Sequence, residues 1–167
     1  QRSFVHAHGS STPHNRVTES KIFDEIAKTF GIESWPVAAV KAYLGHSLGP
    51  ASGDQLMASL GSFAHGIVPG IKTIEGVADD VYAKRLHISN VDNNRGAAGC
   101  EIAFLNSKGF GGNNATATVL SPSVVHTYLE KHYGKKQMAV FQQSQSVAVE
   151  KASSYLQSAD KGELNPI

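Results

Sequence analysis

Apolar and polar positions alternate in two different ways along the first 30 residues. Residues 3–8 read as a short alternating apolar segment followed by turn-forming residues, which predicts a strand that ends near His8. From about Thr18 to Phe30 the apolar residues recur at helical spacing, and Gly31 is a natural stop, so we expect a helix here. Its predicted inward stripe consists of Ile22, Phe23, Ile26, Ala27 and Phe30.

The next segment repeats this order of strand and helix. Residues 36–42, PVAAVKA, form an apolar run typical of a buried parallel strand. A second helix is predicted from about Pro50 to His65. Its predicted inward residues are Leu56, Met57, Leu60, Phe63 and Ala64. The βαβα order predicts an α/β domain.

The second half of the chain is less regular. Residues 70–98 are mostly loop, with a possible short strand at 84–89. Residues 100–106 and 115–121 predict two strands that form a hairpin-like pair around the glycine-rich SKGFGGNN. Beyond Ser121 a helix start is followed by a longer helix from about Lys136 to Leu156. Packing is expected for the stripe Met138, Phe141, Ala148, Ala152 and Tyr155.

Composition narrows the function classes. A chain of 167 residues with 41% hydrophobic and 17% charged residues is typical of a globular domain. Its net charge of +1 argues against nucleic acid as a partner. One cysteine excludes an internal disulfide framework and fits a reducing cytoplasm. We find no signal peptide and no membrane-spanning apolar run, and the abrupt start suggests a fragment of a longer protein.

The histidines raise the question of a metal site. His6 and His8 share one face of the first strand, and with His14 and His46 they could approach a zinc ion. No CxxC or carboxylate cluster supports such a site. Structural roles for the histidines are therefore favoured over metal binding.

Two further segments carry candidate chemistry. Lys41 and His46 lie at a strand-to-helix turn, where catalytic groups of α/β sheets gather, and His8 occupies the equivalent end of the first strand. If these strands are neighbours, His8 and His46 converge. Residues 106–115 place three glycines around Phe110, which fits either a functional mobile aromatic or a tight turn.

Taken in order, three motifs resemble the β-ketoacyl-[acyl-carrier-protein] synthases, the thiolase-like condensing enzymes. They are AHGSSTP at 7–13, KAYLGHSLG at 41–49 and NSKGFGG at 106–112. The resemblance covers about residues 3–120 and implies the C-terminal half of such an enzyme. It implies an α/β fold with a mixed five-stranded sheet and flanking helices in residues 1–120, followed by a helical extension in residues 121–167.

The resemblance implies that His8 and His46 are the two active-site histidines, whose N–H groups would stabilise the enolate formed from a malonyl thioester. Lys41 would be the third catalytic member. In the family this lysine is paired with a glutamate on the following helix, whereas here that position is Gln55, beside Asp54. This departure leaves the partner of Lys41 open.

The resemblance also assigns the surrounding loops. Ser10 and Thr12 would bind the pantetheine arm, and Phe110, Gly111 and Gly112 would form the gate and the oxyanion loop. The departures in this loop are Lys108, where a second phenylalanine is common, and Asn113, where threonine is common.

The implied function is decarboxylative condensation of malonyl carrier protein with an acyl thioester, in fatty-acid or polyketide synthesis. The nucleophilic cysteine of the family lies upstream of these motifs, and we expect Cys100 to be a buried core thiol grouped with Ile102 and Phe104. The chain alone should therefore be inactive.

The implied partners are acyl carrier protein, the N-terminal half of the enzyme and a second copy in a homodimer. Neither nucleic acid nor membrane is expected as a partner, and the cytoplasm is the expected location. No metal and no cofactor beyond the carrier's phosphopantetheine is expected. The alternatives are a non-catalytic synthase-like partner subunit and, less favoured, a histidine-rich metal-binding domain.

Overall fold

The computed structural model describes residues 2–164 and divides the chain into two compact units, Gln1–Pro122 and Ser123–Ile167. The helices and strands in chain order are β1 (Ser3–His6), α1 (Pro13–Thr29), β2 (Trp35–Ala38), α2 (Lys41–Leu44), α3 (Ala51–His65), β3 (Ile67–Val68), β4 (Leu86–His87), β5 (Asn93–Asn94), β6 (Ile102–Lys108), β7 (Asn114–Leu120) and α4 (Pro122–Asp160).

The first unit is built on a five-stranded sheet in the order β4-β2-β1-β6-β7. β1 lies between β2 and β6 and is parallel to both, whereas β7 pairs antiparallel with β6 as the second arm of a hairpin. The predicted mixed five-stranded sheet is thus confirmed. Because β1 and β2 are parallel neighbours, the residues after their carboxyl ends meet at one edge of the sheet.

The two faces of this sheet have separate cores. One core contains Val5 of β1 and Phe23 and Ala27 of α1, and we call this side the α1 face. The other contains Phe4 of β1 and Phe63 of α3, and we call it the α3 face. Neighbouring residues of β1 enter different cores because successive side chains of a strand point to opposite sides.

The predicted inward stripe of α1 is only partly right. Phe23 and Ala27 are buried, but Ile22, Ile26 and Phe30 are exposed. The inward positions between and beside the two buried apolar residues are taken by Glu19, Ser20 and Asp24. These polar residues are bonded to main-chain groups of neighbouring segments, which is why the helix can turn them inward.

The predicted stripe of α3 is wrong in the same direction. Of its five residues only Phe63 is buried, and Met57 is 68% exposed. The helix instead turns Ala51, Gln55, Ser59 and Ser62 inward. A polar stripe therefore faces the sheet beside Phe63, and Leu56, Met57 and Leu60 face outward.

Smaller differences concern element boundaries. The predicted strand 36–42 ends at Ala38, and Lys41 begins the short helix α2. Within the predicted loop region, Asn93–Asn94 pairs antiparallel with Ile67–Val68 in a two-stranded sheet that the sequence did not reveal. These strands have two residues each, too few for alternation to show.

The second unit contains most of α4. This helix is interrupted at Gly134, whose φ of 80° and ψ of 159° are non-helical. His126 and Gln142 lie eight residues before and after Gly134, and their side chains hydrogen-bond at 2.9 Å. The two helical segments therefore fold back on each other. Within the predicted stripe only Met138 is buried, while Phe141, Ala148, Ala152 and Tyr155 are exposed. Within residues 2–164 no helix is long and apolar enough to cross a membrane.

Candidate active site

The structure brings His8 and His46 together at the carboxyl edge of the sheet. His8 follows β1 by two residues and is buried, and His46 follows α2 by two residues and is exposed. Their ring centroids are 5.3 Å apart, with the planes at 79°. The expected convergence of the two rings is thus present, and both lie close enough to contact one small group.

Main-chain N–H groups orient both imidazoles in the same way. The N–H of Lys108 donates to Nδ1 of His8 at 3.2 Å, and the N–H of Leu48 donates to Nδ1 of His46 at 3.0 Å. An imidazole nitrogen that accepts a hydrogen bond carries no proton, so the ring proton of each histidine is on Nε2. The pair therefore offers two Nε2–H donors.

The charge state of His8 agrees with this tautomer. Burial lowers the pKa of His8, the positive charge of Lys41 lowers it further, and the carboxylate of Glu19 opposes them. A pKa below the ordinary value keeps the ring neutral at pH 7. His8 is thus a hydrogen-bond donor through Nε2 rather than a cation.

Leu48 holds its position at a conformational cost. Its φ is +64°, a left-handed conformation that non-glycine residues rarely adopt. This conformation accompanies the hydrogen bond from Leu48 N–H to Nδ1 of His46. The strained backbone of Leu48 therefore holds the N–H group that determines the tautomer of His46.

Lys41 contacts the main chain of His8. Its Nζ donates to the carbonyl oxygen of His8 at 2.6 Å. Burial lowers the pKa of Lys41, and the carboxylates of Glu19 and Asp54 oppose that lowering. The carboxylates that act on the charge of Lys41 are therefore Glu19 on α1 and Asp54 on α3, and not the residue at position 55.

Glu19 is the site residue that the sequence analysis missed. It is buried, and its carboxylate accepts from the N–H of His8 at 2.7 Å and from the N–H of Gly9 at 3.1 Å. It also accepts from the side-chain amides of Asn15 and Asn106. Four donors on one carboxylate fix the main chain that carries His8.

A sequence signal for Glu19 exists but is weak. It precedes the buried Phe23 by four residues, so it shares the inward face of α1. A charged residue on an inward face needs partners. One of the partners of Glu19, Asn106, lies within the third motif, at 106–112. Neither residue type is rare enough to have pointed to the other.

Gln55 holds two strand ends together. It is fully buried, and its Nε2 donates to the carbonyl oxygens of Ala7 and Asn106, both at 3.0 Å. These carbonyls follow the last register pair of β1 and β6, His6 with Leu105. A glutamate carboxylate here would face two carbonyl oxygens, so the amide suits this position better.

The loops assigned to pantetheine and to gating border the histidines. Ser10 Oγ and Thr12 Oγ1 are 3.4 Å apart after the end of β1. Phe110 is fully exposed in a single 3₁₀ turn, and Gly111 and Gly112 have φ of +78° and +83°. This loop begins at Lys108, whose N–H contacts His8, so all these residues lie around one edge of the sheet.

Other candidate residues lie elsewhere. His14 is exposed on the first turn of α1, and His6 is buried in β1. The part of the chain that the structure describes contains no group of three or more side chains placed to hold a metal ion. Cys100 is fully buried, and burial raises the pKa of its thiol. It packs with Ala103 and Leu105 rather than with Ile102 and Phe104, because β6 begins only at Ile102.

Comparison with known proteins identifies the same family as the three motifs. Residues 3–75 match the model of the β-ketoacyl synthase C-terminal domain. The chain is 54% identical over 165 residues to the β-ketoacyl-[acyl-carrier-protein] synthase FabY of Pseudomonas aeruginosa, covering 99% of this chain and 26% of that protein. The chain belongs to the β-ketoacyl synthase family.

More distant relatives agree. The chain is 35% identical over 113 residues to 3-oxoacyl-[acyl-carrier-protein] synthase 1 of Escherichia coli strain K12, covering 68% of this chain and 26% of that protein. The chain therefore spans about a quarter of the length of these relatives.

Solved structures show the same fold. The crystal structure of the P. aeruginosa noncanonical ketosynthase FabY superposes with a TM-score of 0.92 at 54% identity, covering 98% of this chain and 25% of that one. The ishigamide ketosynthase/chain length factor gives a TM-score of 0.56 at 32% identity, covering 71% of this chain and 27% of that one. The thiolase-like fold expected from the motifs is confirmed.

Proposed function

We propose that this chain supplies the malonyl-activating part of a β-ketoacyl-[acyl-carrier-protein] synthase that acts in fatty-acid synthesis. The observation that carries the proposal is the pair of neighbouring imidazoles, His8 and His46, each oriented by a main-chain N–H so that its Nε2 carries the proton. Two such donors suit a developing oxyanion, which is the charge that decarboxylation of a malonyl thioester creates.

The proposed reaction uses these groups in order. The bond between the malonyl methylene carbon and its carboxylate breaks, carbon dioxide leaves, and the electron pair becomes an enolate on the thioester. Nε2–H groups of His8 and His46 stabilise the enolate oxygen. The enolate carbon then attacks an acyl group held as a cysteine thioester, and the cysteine leaves as thiolate. Lys41 and Glu19 hold His8 in place.

The surrounding loops complete the proposal. We assign Ser10 and Thr12 to binding of the pantetheine arm, and Phe110, Gly111 and Gly112 to gating and polarising the acyl thioester. Acyl carrier protein is the proposed carrier of both substrates, with no further cofactor. We propose residues 1–120 as the synthase domain and 121–167 as a helical extension, and we propose a cytoplasmic homodimer that includes the N-terminal part of the enzyme.

The test separates the two half-reactions in the full-length protein. His8→Ala and His46→Ala should each lower malonyl decarboxylation by roughly a hundredfold or more, and leave acylation of the nucleophilic cysteine at least partly intact. Carbon dioxide release and mass-spectrometric acyl transfer measure the two steps. His14→Ala, an exposed histidine of the same region, is the control and should change neither. Unchanged decarboxylation in both variants would overturn the role proposed for the two histidines, and no decarboxylation by the unsubstituted protein would favour the non-catalytic partner subunit.

The chain by itself should not condense acyl and malonyl thioesters. Its one cysteine, Cys100, is fully buried with a raised pKa, so it is neither accessible nor a ready thiolate. Incubation of the chain with both carrier thioesters should give no 3-oxoacyl product. Product formation would mean that Cys100 becomes accessible and would overturn this assignment of the nucleophile.

A further inference from the structure

The layer between β1 and α3 contains polar side chains that the proposed chemistry does not use. Gln55, Ser59 and Ser62 recur at i, i+4 and i+7 on α3, and all are buried. His6 of β1 is also buried, at 1% exposure. Polar residues in such a layer require hydrogen-bond partners.

Part of this set has no partner from the protein. Within residues 2–164, neither ring nitrogen of His6 is hydrogen-bonded, nor are Oε1 of Gln55 and Oγ of Ser62. Ser59 differs, because its Oγ donates to the carbonyl oxygen of Gln55 at 2.8 Å. Four buried polar atoms on three residues are thus left open.

Two contacts show where His6 lies relative to α3. The rings of Phe4 and Phe63 are 6.0 Å apart, and Gln55 Nε2 is 3.0 Å from the carbonyl oxygen of Ala7. Along β1 the two contacts are three residues apart, and along α3 they are eight residues apart. Both separations amount to about 10 to 12 Å, so strand and helix run side by side between the contacts. His6 lies between them on the Phe4 side of β1, with its ring 5.6 Å from that of Phe4. It therefore faces the stretch of α3 that carries Gln55, Ser59 and Ser62.

We propose that His6, Gln55 and Ser62 bind ordered water in an internal polar pocket between β1 and α3, behind His8. The chemistry of the open atoms fits water. A neutral imidazole offers one donor and one acceptor, the amide oxygen accepts, and the serine hydroxyl does both. Water donates two hydrogen bonds and accepts two. Gln55 and Ser62 are about 10 Å apart along the helix, so a short row of water molecules rather than a single one would satisfy the four atoms.

The charge state of His6 supports a neutral ligand. Burial, together with the charge of Lys41, lowers the pKa of His6 to about 4. The titratable groups that act on His6 thus disfavour a second ring proton, and a neutral ring suits water better than an anion. Water on Oε1 also fixes which end of the Gln55 amide faces the carbonyls of Ala7 and Asn106.

Nuclear magnetic resonance on the isotope-labelled full chain tests the site directly. We expect cross-relaxation between water protons and the ring protons of His6, and between water protons and the amide protons of Gln55. The sign of the cross-relaxation rate should be the one that indicates water bound for longer than about a nanosecond. The ring protons of His14, which is exposed, should show only the cross-relaxation of short-lived contacts with bulk water. A His6 ring without the long-lived water signal would overturn the proposal.

Substitutions give a second, independent result. Ser62→Ala and His6→Phe remove partners from the proposed water, so the midpoint of thermal unfolding at pH 7.5 should fall for both. In a dry layer the same changes would remove unpaired polar atoms, and the midpoint would rise. His14→Phe controls for the imidazole-to-phenyl change and should have little effect. If His6→Phe does not fold, Ser62→Ala decides, because it adds no atoms.

Discussion

The two faces of the central sheet bury polar groups in different ways. On the α1 face, Ser20 accepts from the N–H of Tyr82 at 3.1 Å, and Asp24 accepts from the N–H of Arg85 at 2.8 Å. Glu19 on the same face is surrounded by four donors. On the α3 face, the side chains of His6, Gln55 and Ser62 have four buried atoms without a partner in residues 2–164.

This difference separates two uses of buried polarity. Side chains of the α1 face bond to main-chain N–H groups of the loops, so they fix where those loops run. Through Glu19 this face positions the main chain of His8. Gln55 on the α3 face pins two strand ends with one end of its amide and leaves the other end open. The first face is completed by protein, and the second by water under our proposal.

The largest effect should come from removing the best-satisfied group. Glu19→Ala leaves the N–H groups of His8 and Gly9 and two side-chain amides without their acceptor, so we expect a loss of about 3–5 kcal/mol in the free energy of unfolding. Urea unfolding followed by circular dichroism measures it. Glu25→Ala is the control, since the Glu25 side chain forms an exposed pair with Lys28, and it should cost at most about 0.5 kcal/mol. A loss below about 1 kcal/mol for Glu19→Ala would contradict this account of the α1 face.

The next effect concerns pH and the α3 face. The pKa of His6 is about 4 in the folded chain and 6.5 when unfolded, so the unfolded chain binds the proton first as the pH falls. The associated stability is complete above about pH 6.5 and is lost between about 6.5 and 4, to a total of at most about 3 kcal/mol. His8, whose pKa is also lowered, acts in the same direction.

Unfolding free energies from pH 7.5 to 4.5 check this prediction. His6→Phe should reduce the slope below pH 6.5, and because the carboxylates that titrate in the same range are unchanged in this variant, the difference in slope belongs to His6. Equal slopes for the wild type and His6→Phe would show that His6 binds its proton as readily in the folded chain as in the unfolded chain, contrary to its lowered pKa.

A smaller effect is expected at the amide that distinguishes this chain from the family pattern. Gln55→Glu turns a carboxylate toward the carbonyl oxygens of Ala7 and Asn106, so it should cost about 2 kcal/mol at pH 7.5. The cost should shrink as the pH falls, because a protonated carboxyl can donate one hydrogen bond. Urea unfolding at pH 7.5 and at a lower pH, where the carboxyl is protonated, measures this cost. Gln143→Glu on the exposed face of α4 is the control. A neutral result at pH 7.5 would mean that Lys41 reaches position 55 and compensates the charge.

Sequence predicted the elements better than their orientation. The strands of the central sheet and the helices α1 and α3 follow from alternation, apolar runs and helical spacing, whereas α2 and the β3-β5 pair do not. The order of motifs brought His8 and His46 to one edge. The inward faces of α1 and α3 did not follow, because the amphipathic rule selects apolar residues and these helices bury Glu19, Asp24, Gln55 and Ser59 instead. Burial of such residues depends on partners from distant segments, as with Asp24 and Arg85, which are 61 residues apart.

The smallest effect is expected on the outer side of α3. Met57 is 68% exposed, next to the partly exposed Leu56 and Leu60, so Met57→Lys should change the free energy of unfolding of the chain by less than about 0.5 kcal/mol. The same exposed apolar group favours association between copies, so sedimentation velocity should show less self-association for this variant. Ser59→Leu is the matched change on the inner side of the helix, where Ser59 is fully buried, and it should cost about 1–3 kcal/mol by overpacking. If Met57→Lys lowered the free energy of unfolding as much as Ser59→Leu, the two sides of α3 would be packed equally. The assignment of the polar stripe to the inner face of the helix would then be wrong.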